Sequence, residues 1–380
     1  MNFHIPHITL PAYFCYGLLG LLLVVQLYYI LFVYRKLARY RVKSHADAAT
    51  TAAVTVIICA HNEQENLKTF LPHILNQDYP EFEVIVVNDS SDDETPWILH
   101  DFEQQYSHLR VIDVKDHIRF KHNKKFALTL GIKGAKHQVL VMTDADCQPE
   151  SNQWLREMAG AYTEGKEIVL GYSPYFKASG FLNKLIRFET THTAMSYLAY
   201  AIKGNAYMGV GRNLSYLKDL FFKGKGFNAH MHIKSGDDDL FVNKNATATN
   251  INIAIHPDAH TYSVPKASWK SYNKQKGRHA GASVFYKMRH KSMLGTQLIS
   301  AFLFYCLLIV TLSLFPSLWF IGLGIYLLRY CCQLIIFAPI YKKLAVKDLL
   351  IWLPILDIFY YFYICLNGVF NRKKKQVSWK

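Results

Sequence analysis

Residues 11 to 34 (PAYFCYGLLGLLLVVQLYYILFVY) carry no charged side chain, and about 20 apolar residues are enough to cross a hydrocarbon core some 30 Å thick. The run is long and aromatic for a secretory leader, and no small-residue cleavage site follows it, so it is expected to stay as an anchor. Two more spans are predicted at 294 to 314 and 317 to 340, joined at Phe315 and Pro316. Arg329 interrupts the second of them and has to snorkel or face a protein partner. The last apolar stretch, 348 to 370, holds Pro354 and Asp357.

Positive charge sets the expected orientation. RKLARYRVK (35 to 43) directly follows the first span and YKKLAVK (341 to 347) follows the third, which places both flanks and the chain's middle on the cytoplasmic side. A further full crossing would carry the tail NRKKKQVSWK outward, against the same rule. A re-entrant or interfacial segment over 348 to 370 is therefore expected, with a third C-terminal crossing as the alternative. The localisation implied is the inner (cytoplasmic) membrane, multi-pass. Much of the formal net charge of +15 lies beside these apolar ends, where anionic headgroups account for it. No basic and aromatic motif of a nucleic-acid binder accompanies it. The seven cysteines show no metal-ligand spacing and are expected to be reduced.

Between roughly 50 and 265 apolar runs of strand length alternate with helical periodicity. TVIICA (55 to 60), EVIVV (83 to 87), LRVIDV and QVLVMT read as strands. Leu67, Phe70, Leu71, Ile74 and Leu75 mark the first intervening helix, and Pro96 opens another over 95 to 106. Such alternation predicts an α/β fold with a mostly parallel sheet covered by helices on both faces. Ligands of such sheets bind beyond the carboxyl ends of the strands. Here those ends are polar: AHNEQEN, NDSSDDET and TDADCQPE.

Asp144 and Asp146 end a buried strand one residue apart, although their charges repel and each loses hydration there. A divalent cation, Mg²⁺ or Mn²⁺, would compensate both and carry a diphosphate. GDDDLF (236 to 241) gathers three more acids, whose mutual repulsion raises at least one carboxyl toward the range of a general base.

VTVIICAHNE, VIVVNDSSDDET, Asp-Ala-Asp, GDDDLF and QKGRHAG occur in that order. Together they resemble the family-2 glycosyltransferases of the nucleotide-binding GT-A fold, and in layout the membrane-embedded branch of cellulose, hyaluronan and poly-N-acetylglucosamine synthases. The resemblance covers about residues 54 to 283. It implies a donor pocket walled by Ala60, His61, Asn62 and Glu63, with Asp89 at the nucleobase. Lys124, or Lys125 next to it, would meet the donor phosphates. Asp144 and Asp146 would hold the cation, and Gly211 and Asn213 would lie beside the donor sugar. Aligning GDDDLF on Leu240 selects Asp237 as base and aligning it on Gly-Asp-Asp selects Asp238. The pair is therefore carried forward, Asp238 first, with Asp239 expected to cap the helix that follows. Gln275 and Arg278 would contact diphosphate, while His279 replaces a tryptophan that in relatives stacks on the acceptor sugar. Ser90 to Glu94 read as loop and cap residues, and His256 and His260 as structural.

The expected protein is a membrane-anchored inverting glycosyltransferase moving a sugar from a nucleotide-sugar donor, UDP-linked by preference, to a lipid-linked or growing-glycan acceptor in cell-envelope polysaccharide or glycolipid synthesis. A processive polysaccharide synthase and a non-catalytic nucleotide-sugar binding protein are the alternatives. Its expected parts are an anchor and basic flank (1–44), a cytoplasmic GT-A domain (45–290) and C-terminal membrane helices with a basic tail (291–380).

Overall fold

A computed structural model describes residues 9–45, 52–114, 123–233 and 235–370, the side chains of 278–280 and 368–370 excepted. The chain divides into two units, the larger built on Arg41–Tyr286 and the smaller on Met1–Tyr40, Lys287–Lys342 and Val346–Lys373.

The larger unit is organised by a seven-stranded sheet. Its strands are β1 (Val54–Ala60), β2 (Phe82–Asp89), β3 (Leu109–Val114), β4 (Val139–Asp144), β6 (Ile168–Gly171), β7 (Leu214–Leu217) and β8 (Ile251–Ala254), and a separate pair joins β5 (Cys147–Pro149) to β9 (Thr261–Ser263). The order is β3-β2-β1-β4-β7-β6-β8. β1, β2, β3 and β4 pair in parallel, so their carboxyl ends share one rim. β7 runs antiparallel to β4, with Leu214 opposite Met142. That reversal brings the residues just before β7, Gly211 to Asn213, to the rim where β4 ends. Every residue of β1 is buried, as expected of a strand covered on both faces. Burying each such Val or Ile contributes about 1.5–3 kcal/mol.

The helix Gln64–Leu75 buries Leu67, Phe70, Leu71, Ile74 and Leu75, the periodic set. Pro96 lies in the first turn of Thr95–Gln105, where its missing N–H costs nothing. The helix Lys124–Gly134 lies close on the sheet because residue 131 is glycine: a Cβ there would meet Ile57 Cγ2 at 2.7 Å. Asn123 caps this helix by accepting the N–H groups of Lys125 and Phe126.

Among the described residues, four helical segments of the smaller unit are long and apolar enough to cross a membrane: Leu10–Arg39, Met288–Leu314, Pro316–Lys343 and Lys347–Asn367. The final stretch, for which a re-entrant or interfacial segment or a third C-terminal crossing was expected, forms a helix, Leu353–Phe370. Two features explain it. Pro354 is the second residue of that helix, where proline is tolerated, and Asp357 meets Arg329 at 2.9 Å with both side chains 1% exposed. Arg329 thus faces a protein partner. It also donates to Gln333 (2.9 Å) and Gln26 (3.2 Å), and Tyr305 donates to Asp357.

Candidate active site

The loops beyond β1 and β2 are sewn to each other. Asn62 and Ser90 take positive φ of 55° and 53°, a strained choice for a non-glycine residue that turns each chain sharply at its strand end. Asn62 Oδ1 accepts the Asp92 N–H (2.8 Å), the Ser91 hydroxyl oxygen accepts the Asn62 N–H (3.0 Å), and the Thr95 hydroxyl oxygen accepts the Glu63 N–H (2.9 Å). Asp93 accepts the Thr95 N–H at 3.0 Å, a cap contact. His61 Nδ1 lies 2.8 Å from the Asp89 carbonyl oxygen. Ala60, His61 and Asp89 are all buried at these strand ends.

A cavity of about 350 Å³ opens beside the end of β4. Glu63, Lys124, Asp144, Asp146, Gly211 and Gln275 line it, together with Asp237 and Asp238. Lys124 holds its two acidic sides together: its ammonium lies 2.7 Å from Asp144 and 3.3 Å from Asp237. The two carboxylate oxygens are therefore no farther apart than those two contacts laid end to end. Burial alone would push the Lys124 ammonium down, but the two carboxylates outweigh it and hold it well above the ordinary lysine value.

The three aspartates of GDDDLF have different surroundings. Gly236, at φ +92°, turns the chain into them, and a Cβ there would strike Leu240 at 2.5 Å. Burial raises the Asp237 carboxyl most, yet Lys124, a backbone donor and Lys125 together outweigh it and leave the carboxyl below the usual range. Asp239 accepts from the Tyr286 hydroxyl (2.7 Å) and the Leu240 N–H (2.7 Å), and burial still lifts it to about 6. Asp238 takes two backbone donors, Gly211 N–H at 2.8 Å and Asp239 N–H at 2.7 Å, and among the described residues no side-chain donor. Burial first, then repulsion from Asp237 and Asp239, pushes it up to about 7. The N-cap of the helix Asp239–Asn245 is Asp238 rather than Asp239, one residue earlier than the sequence suggested.

Asp144 and Asp146 offer only carboxylate oxygens, the donors that Mg²⁺ and Mn²⁺ prefer. Burial, with the adjacent Asp144 charge, pushes the Asp146 carboxyl up, a penalty that a bound cation relieves. The residues present fit the ion.

Six of the sequence candidates, Ala60, His61, Asn62, Asp89, Lys125 and Asn213, are not part of the cavity wall. Asn213 is wholly buried, donating to the Tyr172 and Ala259 carbonyls and accepting from Trp154. The Lys125 ammonium donates to the His230 and Ile233 carbonyls, each at 2.7 Å, and burial lowers its pKa. Gln275 donates to the Tyr175 hydroxyl at 3.2 Å. Arg278 and His279 fall in the helix Trp269–Ser283, but their side chains lie outside the described residues. Glu157, His256 and Asp258 bring three potential ligand atoms within 4.8 Å of one another. That cluster is not part of the cavity wall, and Glu157 accepts from the Ser44 hydroxyl and the His45 N–H, fastening the chain where it enters the unit.

Sequence reasoning passed over Arg212, Lys266 and Tyr286, all of which line the cavity. Arg212 stacks over the Tyr175 ring at 4.2 Å and donates to the Ser173 carbonyl at 3.0 Å. Its signal was its place between Gly211 and Asn213.

Comparison with known proteins agrees with this arrangement. Residues 55–223 match the family model "Glycosyl transferase family 2". That segment of the chain is similar to family-2 glycosyltransferases. The chain is 28% identical over 251 residues to the probable glycosyltransferase YdaM of Bacillus subtilis, a match covering 62% of this chain and 56% of that one. It is 31% identical over 93 residues to a poly-beta-1,6-N-acetyl-D-glucosamine synthase of Staphylococcus epidermidis, covering 24% and 21%. It thus spans little more than half of the first relative and about a fifth of the second. Among solved structures, the mannosyltransferase PcManGT from Pyrobaculum calidifontis, in complex with GDP-Man and Mn²⁺, superposes with a TM-score of 0.58 at 18% identity over 92% of this chain and 99% of that one. The shared fold is GT-A.

Proposed function

We propose that the chain is a membrane-anchored inverting glycosyltransferase whose catalytic unit faces the cytoplasm. It would take a sugar from a nucleotide-sugar donor, UDP-linked first and GDP-linked as the alternative. The acceptor would be a lipid-linked or growing glycan of the cell envelope. One observation carries the reading: Lys124 bridges Asp144 of the strand rim and Asp237 of the acid cluster on a single cavity. The family assignment supports the reaction class, and the synthase relative supports an envelope glycan.

In this reading Asp144 and Asp146 hold a divalent cation, which supplies positive charge to the diphosphate as it leaves. Arg212 and Lys266 add cationic side chains in the same wall, and an arginine locked over an aromatic ring is pre-organised for phosphate oxygens. Asp238 is the base. Its carboxyl titrates near neutral, so its ionised form, which grows as pH rises through about 7, is basic enough to take the acceptor hydroxyl proton as oxygen attacks the anomeric carbon. Asp237 is paired with Lys124 and Asp239 with Tyr286, which leaves Asp238 the freest of the three. Ala60, His61, Asn62, Glu63 and Asp89 would form the nucleoside side.

The test is donor binding and slow donor hydrolysis by the full chain in detergent, across a panel of UDP- and GDP-sugars with Mn²⁺. The reading expects at least one donor to bind and be hydrolysed. Binding of none would refute it.

A further inference from the structure

Two lysines open one helix and their ammonium groups are used differently. Lys125 is a fixed structural donor, held by two carbonyls of the His230–Ile233 turn at 2.7 Å each. With Lys125 tied, Asn123 capping the first turn and Gly131 pressed on Ile57, the backbone at 124 does not shift. The Lys124 side chain, by contrast, ends at the cavity wall on two carboxylates and nothing else described, 2.7 Å from Asp144 and 3.3 Å from Asp237. Its flexible stem lets the ammonium trade partners while the helix stays put.

Asp144 is one of the two carboxylates read above as cation ligands, and the inference rests on that reading. The Asp144 oxygen in contact with the ammonium cannot also coordinate an ion without bringing three positive charges together. We propose that Lys124 is a built-in counter-ion that contends with the divalent cation for Asp144. The cation alone must evict the ammonium and find it no new partner but Asp237. A cation arriving with a diphosphate brings phosphate oxygens that take up the displaced ammonium. Cation binding is therefore weak alone and strong with nucleotide, and Lys124 sets that order. The same exchange loosens Lys124 from Asp237 as the donor enters, so filling the donor site alters the charge balance around Asp238.

The experiment is calorimetric titration of the full chain in detergent with Mn²⁺ alone and with Mn²⁺ in the presence of UDP. Wild type is expected to bind Mn²⁺ at least about tenfold more weakly without UDP than with it. Lys124→Met is expected to tighten Mn²⁺ alone by about tenfold or more, because a neighbouring like charge moves such equilibria by one to three decades, while weakening the joint binding of UDP and Mn²⁺. Lys124→Arg, which keeps the charge, is expected to leave Mn²⁺ alone weak. Equal Mn²⁺ affinity with and without UDP in wild type overturns the proposal, whatever the variants do. So does Lys124→Met with Mn²⁺ affinity unchanged. Mn²⁺ binding indifferent to Asp144→Asn would show instead that the cation-ligand reading has failed, and the proposal with it. Lys124→Gln serves as the second neutral variant should Lys124→Met not fold.

Discussion

Each unit of this chain buries a cluster of charges, and the two clusters are built to opposite ends. In the apolar-helix unit Arg329 and Asp357 neutralise each other one to one, with Gln26, Gln333 and Tyr305 adding hydrogen bonds. In the sheet unit a single lysine serves Asp144 and Asp237 while Asp146, Asp238 and Asp239 stand close by, the carboxyls of these three pushed up. The first cluster is closed; the second is left short of positive charge on a cavity wall. A balanced buried pair holds helices in register, whereas an unbalanced one keeps a standing demand for a cation and for a proton. That contrast separates structural burial of charge from functional burial.

Altering both clusters sharpens the contrast. The largest effect is expected for Asp238→Asn, which should lower the transfer rate about 10²–10⁴-fold, the usual worth of a general base, with nucleotide affinity intact by calorimetry. Equal loss in Asp237→Asn alone, with Asp238→Asn active, would move the base. Asp357→Leu should cost about 3–5 kcal/mol by leaving Arg329 buried and unpaired, read as thermal stability in detergent. The double variant Arg329→Met with Asp357→Leu should recover most of it. A double variant no more stable than the single would mean the pair is not balanced as described. Arg212→Gln should weaken nucleoside diphosphate about tenfold while leaving the nucleoside alone unchanged, a phosphate-specific loss of a charge-assisted hydrogen bond. The smallest effect is the pH profile. A base with a carboxyl near 7 is protonated and idle below that value, so the rate should climb with pH through about 7 and then level, and a profile flat from 5 to 8 would contradict it.

The rim was legible because apolar β-branched runs ended abruptly on His61, Asp89 and Asp144, and a parallel sheet puts such ends side by side. The acid cluster was legible from three adjacent aspartates. Their division of labour was not: Tyr286 reaches Asp239 across 47 positions, and no local pattern announces a contact of that span. Counting back from Ala127 and Leu128 favours Lys124 over Lys125, but the contacts of the Lys125 ammonium with the turn at His230–Ile233 could not be read from spacing. Asn213 looked like a pocket residue because GVGRNLSY resembles the family's Gly-x-Asn segment, yet it braces Trp154 and two carbonyls. The Arg329–Asp357 pair had a signal that went unused, since two lone opposite charges in two consecutive apolar runs call for each other.

The central claim is that strand-rim and acid-cluster carboxylates serve one site, the first binding and the second reacting. It is tested most directly by titrating UDP with Mn²⁺ into wild type, Asp146→Ala and Asp238→Asn side by side. The account predicts that Asp146→Ala loses metal-dependent nucleotide affinity and Asp238→Asn retains it. Wild-type affinity in Asp146→Ala would contradict the account.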